Sequence, residues 1–84
     1  EEIRIEQRQR GDATSVQVGE AVLRTEEDVR RVVAGPYRDF RRIGMPVSVI
    51  LDSGPEVPTR EVVRVLNDCI KTGIPDVEFA DPGE

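Results

Sequence analysis

A strand–helix–strand pattern in the second half of the sequence constrains the fold more than any other feature. Residues 47–51 are apolar apart from Ser48, which is typical of a strand that is covered on more than one side. A helical pattern follows, and residues 76–80 then alternate between polar and apolar side chains. The apolar face of that helix is expected to consist of Val62, Val63, Leu66, Cys69 and Ile70. Two strands that are connected through a single helix lie parallel to each other, and the connection is right-handed.

The beginning of the sequence predicts a β-hairpin. Ile3 and Ile5 alternate with charged residues, which indicates a half-buried strand. A polar turn with a glycine follows at residues 10–13, and residues 16–18 alternate again as a second strand. Residues 21–23 are expected to form a short third strand.

A helix is expected directly after these strands. The Thr25 hydroxyl can accept a hydrogen bond from the backbone N–H of Asp28, and residues 26–28 place three acidic side chains in the first turn. Pro36 has no N–H to donate within a helix, so we expect a kink or a break there, with a second short helical piece starting at Pro36.

The sequence therefore predicts one domain over residues 1–84, of the α/β (α+β) class. The expected architecture is a single mixed sheet of four to five strands with two helices on one face, in the order β-β-(β)-α-β-α-β. The strand over residues 3–7 is expected at an edge of the sheet, where its backbone could pair with another chain. Residues 81–84 are expected to be a polar tail.

Composition excludes several classes of function. The net charge of −5 argues against nucleic-acid binding, which depends on neutralising phosphates. The chain has no histidine and one cysteine, so it lacks the usual general base and the usual structural zinc ligands. We expect no catalysis, no cofactor and no metal. No segment reaches the length of an apolar membrane span, so a membrane anchor would lie outside this chain.

Two single residues have alternative interpretations. Asp52 follows a buried strand, where functional carboxylates of α/β folds often lie, but the favoured interpretation is that it caps a turn with its own side chain. Cys69 lies on the apolar helix face, which favours a buried and inert thiol over a reactive one.

Several segments together resemble the ExbD/TolR family of transport proteins. The similar segments are the apolar strand ending at Asp52, the pair Val57-Pro58, the helix over residues 61–67 and the final strand over residues 77–80. The first half is similar in layout, with its hairpin and a helix opened by Thr-Glu-Glu. Two features depart from the family pattern: residues 53–56 make a longer connection than usual, and Thr59 stands where a tyrosine often follows Val-Pro.

The resemblance implies the periplasmic domain of a single-pass inner-membrane protein. Such proteins act with an ExbB/TolQ-like channel subunit and use the proton motive force to drive TonB- or TolA-like envelope proteins. The resemblance also implies a homodimer within the membrane complex. The implied role is a non-catalytic interaction module.

The residues expected to contact partners come from two sources. The predicted edge strand contributes Ile3, Arg4, Ile5 and Glu6, and the resembling segments contribute Asp52, Val57, Pro58 and Thr59. The alternative function is a ferredoxin-like regulatory domain that binds a small ligand, because a βαβ unit beside a hairpin is common to many folds.

Overall fold

A hairpin forms the N-terminal part of the sheet. In the computed structural model, which describes residues 1–80, β1 spans Glu2–Arg10 and pairs antiparallel with β2, Ala13–Val18. Gly11 in the connecting turn has a φ of 59°, a conformation that glycine adopts without steric cost. The predicted hairpin is confirmed. The polar tail predicted at residues 81–84 lies outside the described residues.

Three further strands complete one mixed sheet of five strands. They are β3, Ala21–Val22, β4, Ser48–Ser53, and β5, Val77–Phe79. The strand order is β3-β2-β1-β4-β5, and β4 is parallel to both β1 and β5. The predicted fold class is confirmed. The order of elements differs from the βαββαβ order of ferredoxin-like folds, so that part of the alternative interpretation is wrong.

The prediction that residues 3–7 form an edge strand is also wrong. The strand β1 lies between β2 and β4, and both of its sides are paired. The alternation of Ile3 and Ile5 determines which side chains face the helices, but it does not determine which strands lie to either side. The edges of the sheet are β3 and β5, and the backbone of residues 3–7 cannot accept another chain.

The first helical region is continuous through its proline. It consists of α1, Glu26–Val29, a π-helical segment, Arg30–Ala34, and α2, Gly35–Arg42. The π-helical winding lets the Gly35 N–H bond to the Arg30 carbonyl, and it places Pro36 in the first turn of α2. A complete break is therefore absent, because the wider turn accommodates the missing N–H, but the expected second helical piece is present as α2, which begins one residue before Pro36.

The capping box at Thr25 and Asp28 is confirmed, and it gives a pH-dependent prediction. The Asp28 N–H donates to the Thr25 hydroxyl at 3.2 Å, and the Asp28 carboxylate accepts from the backbone N–H groups of Arg24, at 2.7 Å, and Thr25, at 3.1 Å. The pKa of Asp28 is lowered, mainly by the Arg24 hydrogen bond and less by Arg31. This stabilisation is complete above a pH of about 4 and is lost as the pH falls through the lower pKa of the folded state.

We expect Asp28→Asn to be less stable than the parent at pH 7, and we expect the difference to narrow as the pH falls below about 4. Urea melts of both proteins, repeated in steps from pH 7 to pH 3, would measure this. Glu27→Gln is the matched control, because it removes a charge from the same turn without removing a backbone hydrogen bond. A difference between Asp28→Asn and the parent that stays constant with pH would contradict the prediction.

The last helix, α3, spans Thr59–Lys71 and connects β4 to β5. Its buried residues are Val65 and Cys69, with Val62 and Leu66 partly buried beside them. The predicted face is partly wrong, because Val63 is 46% exposed and Ile70 is 60% exposed. The helix is rotated so that Val65 faces the sheet instead.

The core lies between one face of the sheet and the helices. Along β1 every second residue from Ile3 to Gln7 is buried, and the residues between them are exposed on the opposite face. The same face of β4 contributes Val49 and Leu51, at 0% and 1% exposure. The opposite face of the sheet is open and polar. Among residues 1–80, no helix combines the length and the apolar character that a membrane span requires.

Candidate functional site

The four predicted contact residues of β1 are divided between the two faces of the sheet. Ile3 and Ile5 are buried beneath the helices, so they belong to the core and cannot touch a partner. Arg4 and Glu6 are exposed on the open face. Only this second pair remains available as a surface.

Asp52 and two arginines of β1 form a charged cluster on the open face. Asp52 Oδ2 accepts from Arg4 Nη1 at 3.1 Å and from Arg8 Nη2 at 3.4 Å. Glu2 Oε2 lies 3.2 Å from Arg4 Nε, and Glu6 Oε2 lies 4.0 Å from Arg8 Nη2. The interpretation of Asp52 as a turn cap is wrong, because β4 continues through it and its carboxylate is shared by two guanidinium groups.

Arg8 also joins β1 to its parallel neighbour β4 at the point where their pairing ends. Its Nη1 donates to the carbonyl of Gln7 at 2.7 Å and to the carbonyl of Asp52 at 2.9 Å. The pKa of Arg4 is raised, first by its hydrogen bond to Glu2 and further by Asp52. These contacts hold β1 and β4 in register. A partner at this cluster would have to compete with the ion pairs already formed.

Gln7 is a buried polar residue that the sequence pattern did not single out. Its side chain is fully buried, its Nε2 donates to the Glu61 carbonyl at 3.1 Å, and its Oε1 accepts from Ser53 Oγ at 2.7 Å. Its backbone carbonyl accepts from the Gly54 N–H at 2.9 Å. Gln7 therefore connects the ends of β1 and β4 to the first turn of α3. The available signal is its place in the alternation, two residues after Ile5.

The predicted contacts at the start of α3 have different environments. Val57 is buried at 9% exposure, and its N–H donates to the Gly54 carbonyl at 3.1 Å. Pro58 occupies the N-cap position with extended backbone, and Thr59 is the exposed first residue of the helix. Val57 therefore anchors the connection, Pro58 is half-buried, and Thr59 lies at the surface.

A groove that sequence reasoning missed lies along the free edge of β2. One part, about 220 Å³, lies between α1, α3 and the β2–β3 edge, and an adjoining part of about 340 Å³ extends along β2. Both parts are lined by Val16, Leu23, Arg24 and Arg64. The short pairing of β3 leaves the edge open, because β3 pairs only with Gln17 and Val18 before the chain turns into α1.

The two ends of this groove differ in charge. Arg24 and Arg64 line both parts, whereas Glu26 and Asp68 line only the part beneath α1. The pKa of Asp68 is raised, mainly because burial removes its hydration and also because of the negative charge of Glu26. The part beside β2 is therefore cationic, whereas the part beneath α1 has charged side chains of both signs.

Cys69 is a buried, free thiol, as predicted. Loss of hydration raises its pKa to about 11, and the charge of Asp68 adds to this effect. Thiolate is the reactive form, so we expect Ellman's reagent to label the native protein slowly and the urea-unfolded protein rapidly. Equal labelling of the two forms would contradict this assignment.

No protein-family model matches this sequence, and a search of curated proteins finds no match to it either.

Proposed function

We propose that this chain is a non-catalytic interaction module of the ExbD/TolR kind. One observation supports the proposal: the segments that resemble the family follow one another from β4 to β5 and form a single strand–helix–strand unit. Asp52 ends the apolar part of β4, Val57 anchors the connection, and α3 leads into β5, all joined to β1 through Gln7 and Arg8. A unit held together in this way can transmit the effect of a partner's binding without catalysing a reaction.

Asp52 and Cys69 are the two residues that catalysis could use, and the environment of each favours binding over catalysis. The Asp52 carboxylate is shared between Arg4 and Arg8, so its oxygens are engaged in ion pairs that join β1 and β4. The Cys69 thiol is buried, and its raised pKa keeps it protonated at neutral pH. By contrast, the open groove beside β2 offers a surface that another chain could occupy.

In this role the domain works in the periplasm, attached to the inner membrane by an anchor outside this chain. Its partners are an ExbB/TolQ-like channel subunit, a second copy of itself and a TonB- or TolA-like envelope protein. The proton motive force supplies the energy, and the domain passes a conformational change between the membrane and the envelope partner.

The complete gene product, tagged and produced in its own cell type, tests this proposal. We expect a single membrane-spanning helix with an aspartate before residue 1, and purification in mild detergent together with a channel subunit. A reporter enzyme fused after the domain should be active only in the periplasm. The variant with the membrane aspartate changed to asparagine should assemble but fail to support transport. A cytoplasmic domain, or one fused to an enzyme, would overturn the proposal.

A further inference from the structure

The part of β2 that β3 leaves unpaired has free backbone groups beside the groove. The Leu23 N–H donates to the Val16 carbonyl at 2.8 Å, so the backbone N–H and C=O of Val16 point towards the β3 side of β2. In an antiparallel strand the N–H and C=O of one residue point to the same side of the strand. The N–H and C=O of the residue two positions away point to that side as well. The N–H and C=O of Thr14 therefore point to the same side. β3 pairs with β2 only as far as Gln17, so no strand faces Thr14 among the described residues.

The side chains around this edge define what could pair with it. Val16 and Leu23, each 5% exposed, form an apolar floor, and Val22 adds an exposed apolar side chain. The Arg24 guanidinium forms no ion pair with the other residues of the 1–80 range, and Arg64 pairs only with Glu61, at 3.0 Å. The edge thus combines free backbone groups, an apolar floor and two cations.

We propose that this groove binds an extended peptide that carries an acidic and an apolar side chain two residues apart. The peptide would pair with Thr14 as an added strand, and residues two apart on a strand lie on the same face. Its apolar side chain would contact Val16 and Leu23, and its carboxylate would lie between Arg24 and Arg64. This inference rests on the proposed function, because it names the class of partner that the interaction module captures.

The charges around the groove determine which charged side chain of the peptide is favoured, and at which end of the groove. A carboxylate at the β2 end meets two arginines, whereas a lysine there meets the same charge. Beneath α1 the same two arginines are accompanied by Glu26 and Asp68, so the attraction for a carboxylate is strongest at the β2 end. The free groove therefore selects both the composition and the orientation of the bound strand.

The test is a titration of the isotope-labelled domain with capped seven-residue peptides, followed by amide chemical shifts. The probe alternates threonine with valine and has one valine replaced by aspartate. Its two controls carry lysine in place of the aspartate, or a methylated backbone nitrogen at the central residue. We expect the acidic peptide to shift the amides of residues 14–16, 22–24 and 64–65, and to bind about fivefold more tightly than either control.

Two protein variants distinguish binding in the groove from a general effect of the protein's charge. Arg64→Glu and Arg24→Ala should each weaken binding of the acidic peptide by about fivefold. Arg42→Glu is the matched control, because Arg42 forms the same kind of ion pair three residues apart, with Asp39, but does not line the groove. Urea melts would establish that each variant is folded. Using two separate variants keeps the test valid if one of them unfolds.

Several outcomes would overturn the inference. These are equal binding of the acidic and basic peptides, shifts concentrated at residues 77–79, or no shifts at millimolar peptide. If the titration fails while the complete gene product still purifies with a channel subunit, this inference alone is wrong. If the titration succeeds but the full protein is cytoplasmic, the proposed function is wrong and the groove assignment stands.

Discussion

Replacing Leu51 by alanine should lower the free energy of unfolding by about 2–5 kcal/mol. Leu51 is 1% exposed and lies in β4, which has strands on both sides and helices above it. Truncation would remove buried methyl groups and leave a cavity that the surrounding sheet cannot easily close. Urea denaturation monitored by far-ultraviolet circular dichroism would measure the change.

Leu66 and Ile70 on α3 serve as controls, because they are progressively less buried than Leu51. Leu66 is partly buried, so Leu66→Ala should cost less than Leu51→Ala. Ile70 is 60% exposed, so Ile70→Ala should change the free energy of unfolding by less than about 0.5 kcal/mol. If Ile70→Ala were as costly as Leu51→Ala, Ile70 would have to face the core, and the orientation of α3 with Val65 against the sheet would be wrong.

Replacing Gln7 by glutamate should be at least as damaging, lowering the free energy of unfolding by about 3–5 kcal/mol at pH 7. The side chain is fully buried, and its amide N–H donates to the Glu61 carbonyl. A carboxylate cannot donate that bond, and it would put an unpaired negative charge beside a carbonyl oxygen. The same urea melts would report the loss.

The pH dependence distinguishes a charge effect from a simple change of shape. Protonation would neutralise the new carboxyl group, so the stability deficit of Gln7→Glu should shrink as the pH is lowered. Gln9→Glu is the matched control on the same strand, where the side chain is only partly buried. It should cost less than about 1 kcal/mol. A deficit for Gln7→Glu that is unchanged at low pH would count against burial of the charge.

Much of the fold could be predicted because local patterns determine it. The alternation around Ile3 and Ile5, the turn at Gly11 and the capping box at Thr25 each act within a few residues, and all three are present. The strand order could not be predicted in this way. An alternating strand looks the same at an edge and at the centre, because the pattern describes its two faces and not its two neighbours.

The orientation of α3 could only be predicted in part. Val62 and Val63 are adjacent and equally apolar, so periodicity alone does not decide which of them faces the sheet. The observed rotation brings Val65 and Cys69 into the core, and the hydrogen bond from Gln7 to the Glu61 carbonyl holds the first turn in place. This bond joins residues far apart in sequence, and a local pattern cannot anticipate it.

The candidate site was the least predictable part. The resemblance directed attention to Asp52 and to the start of α3, whereas the groove depends on where β3 stops pairing with β2. Its two cations, Arg24 and Arg64, come from different elements and share no motif. Only the three-dimensional arrangement brings them to one edge.

The central position of β1 has a consequence for the order in which the chain folds. Its antiparallel partner β2 follows after a tight turn, but its parallel partner β4 joins through pairs such as Glu2 and Ser48, which lie far apart in the sequence. Distant pairings form later than local ones because a long loop must be closed first. We therefore expect the hairpin to form before β4 pairs with it, and one side of β1 is then unpaired and open to another chain. We expect the charged side chains of Arg4, Glu6 and Arg8 to oppose such pairing until β4 is in place.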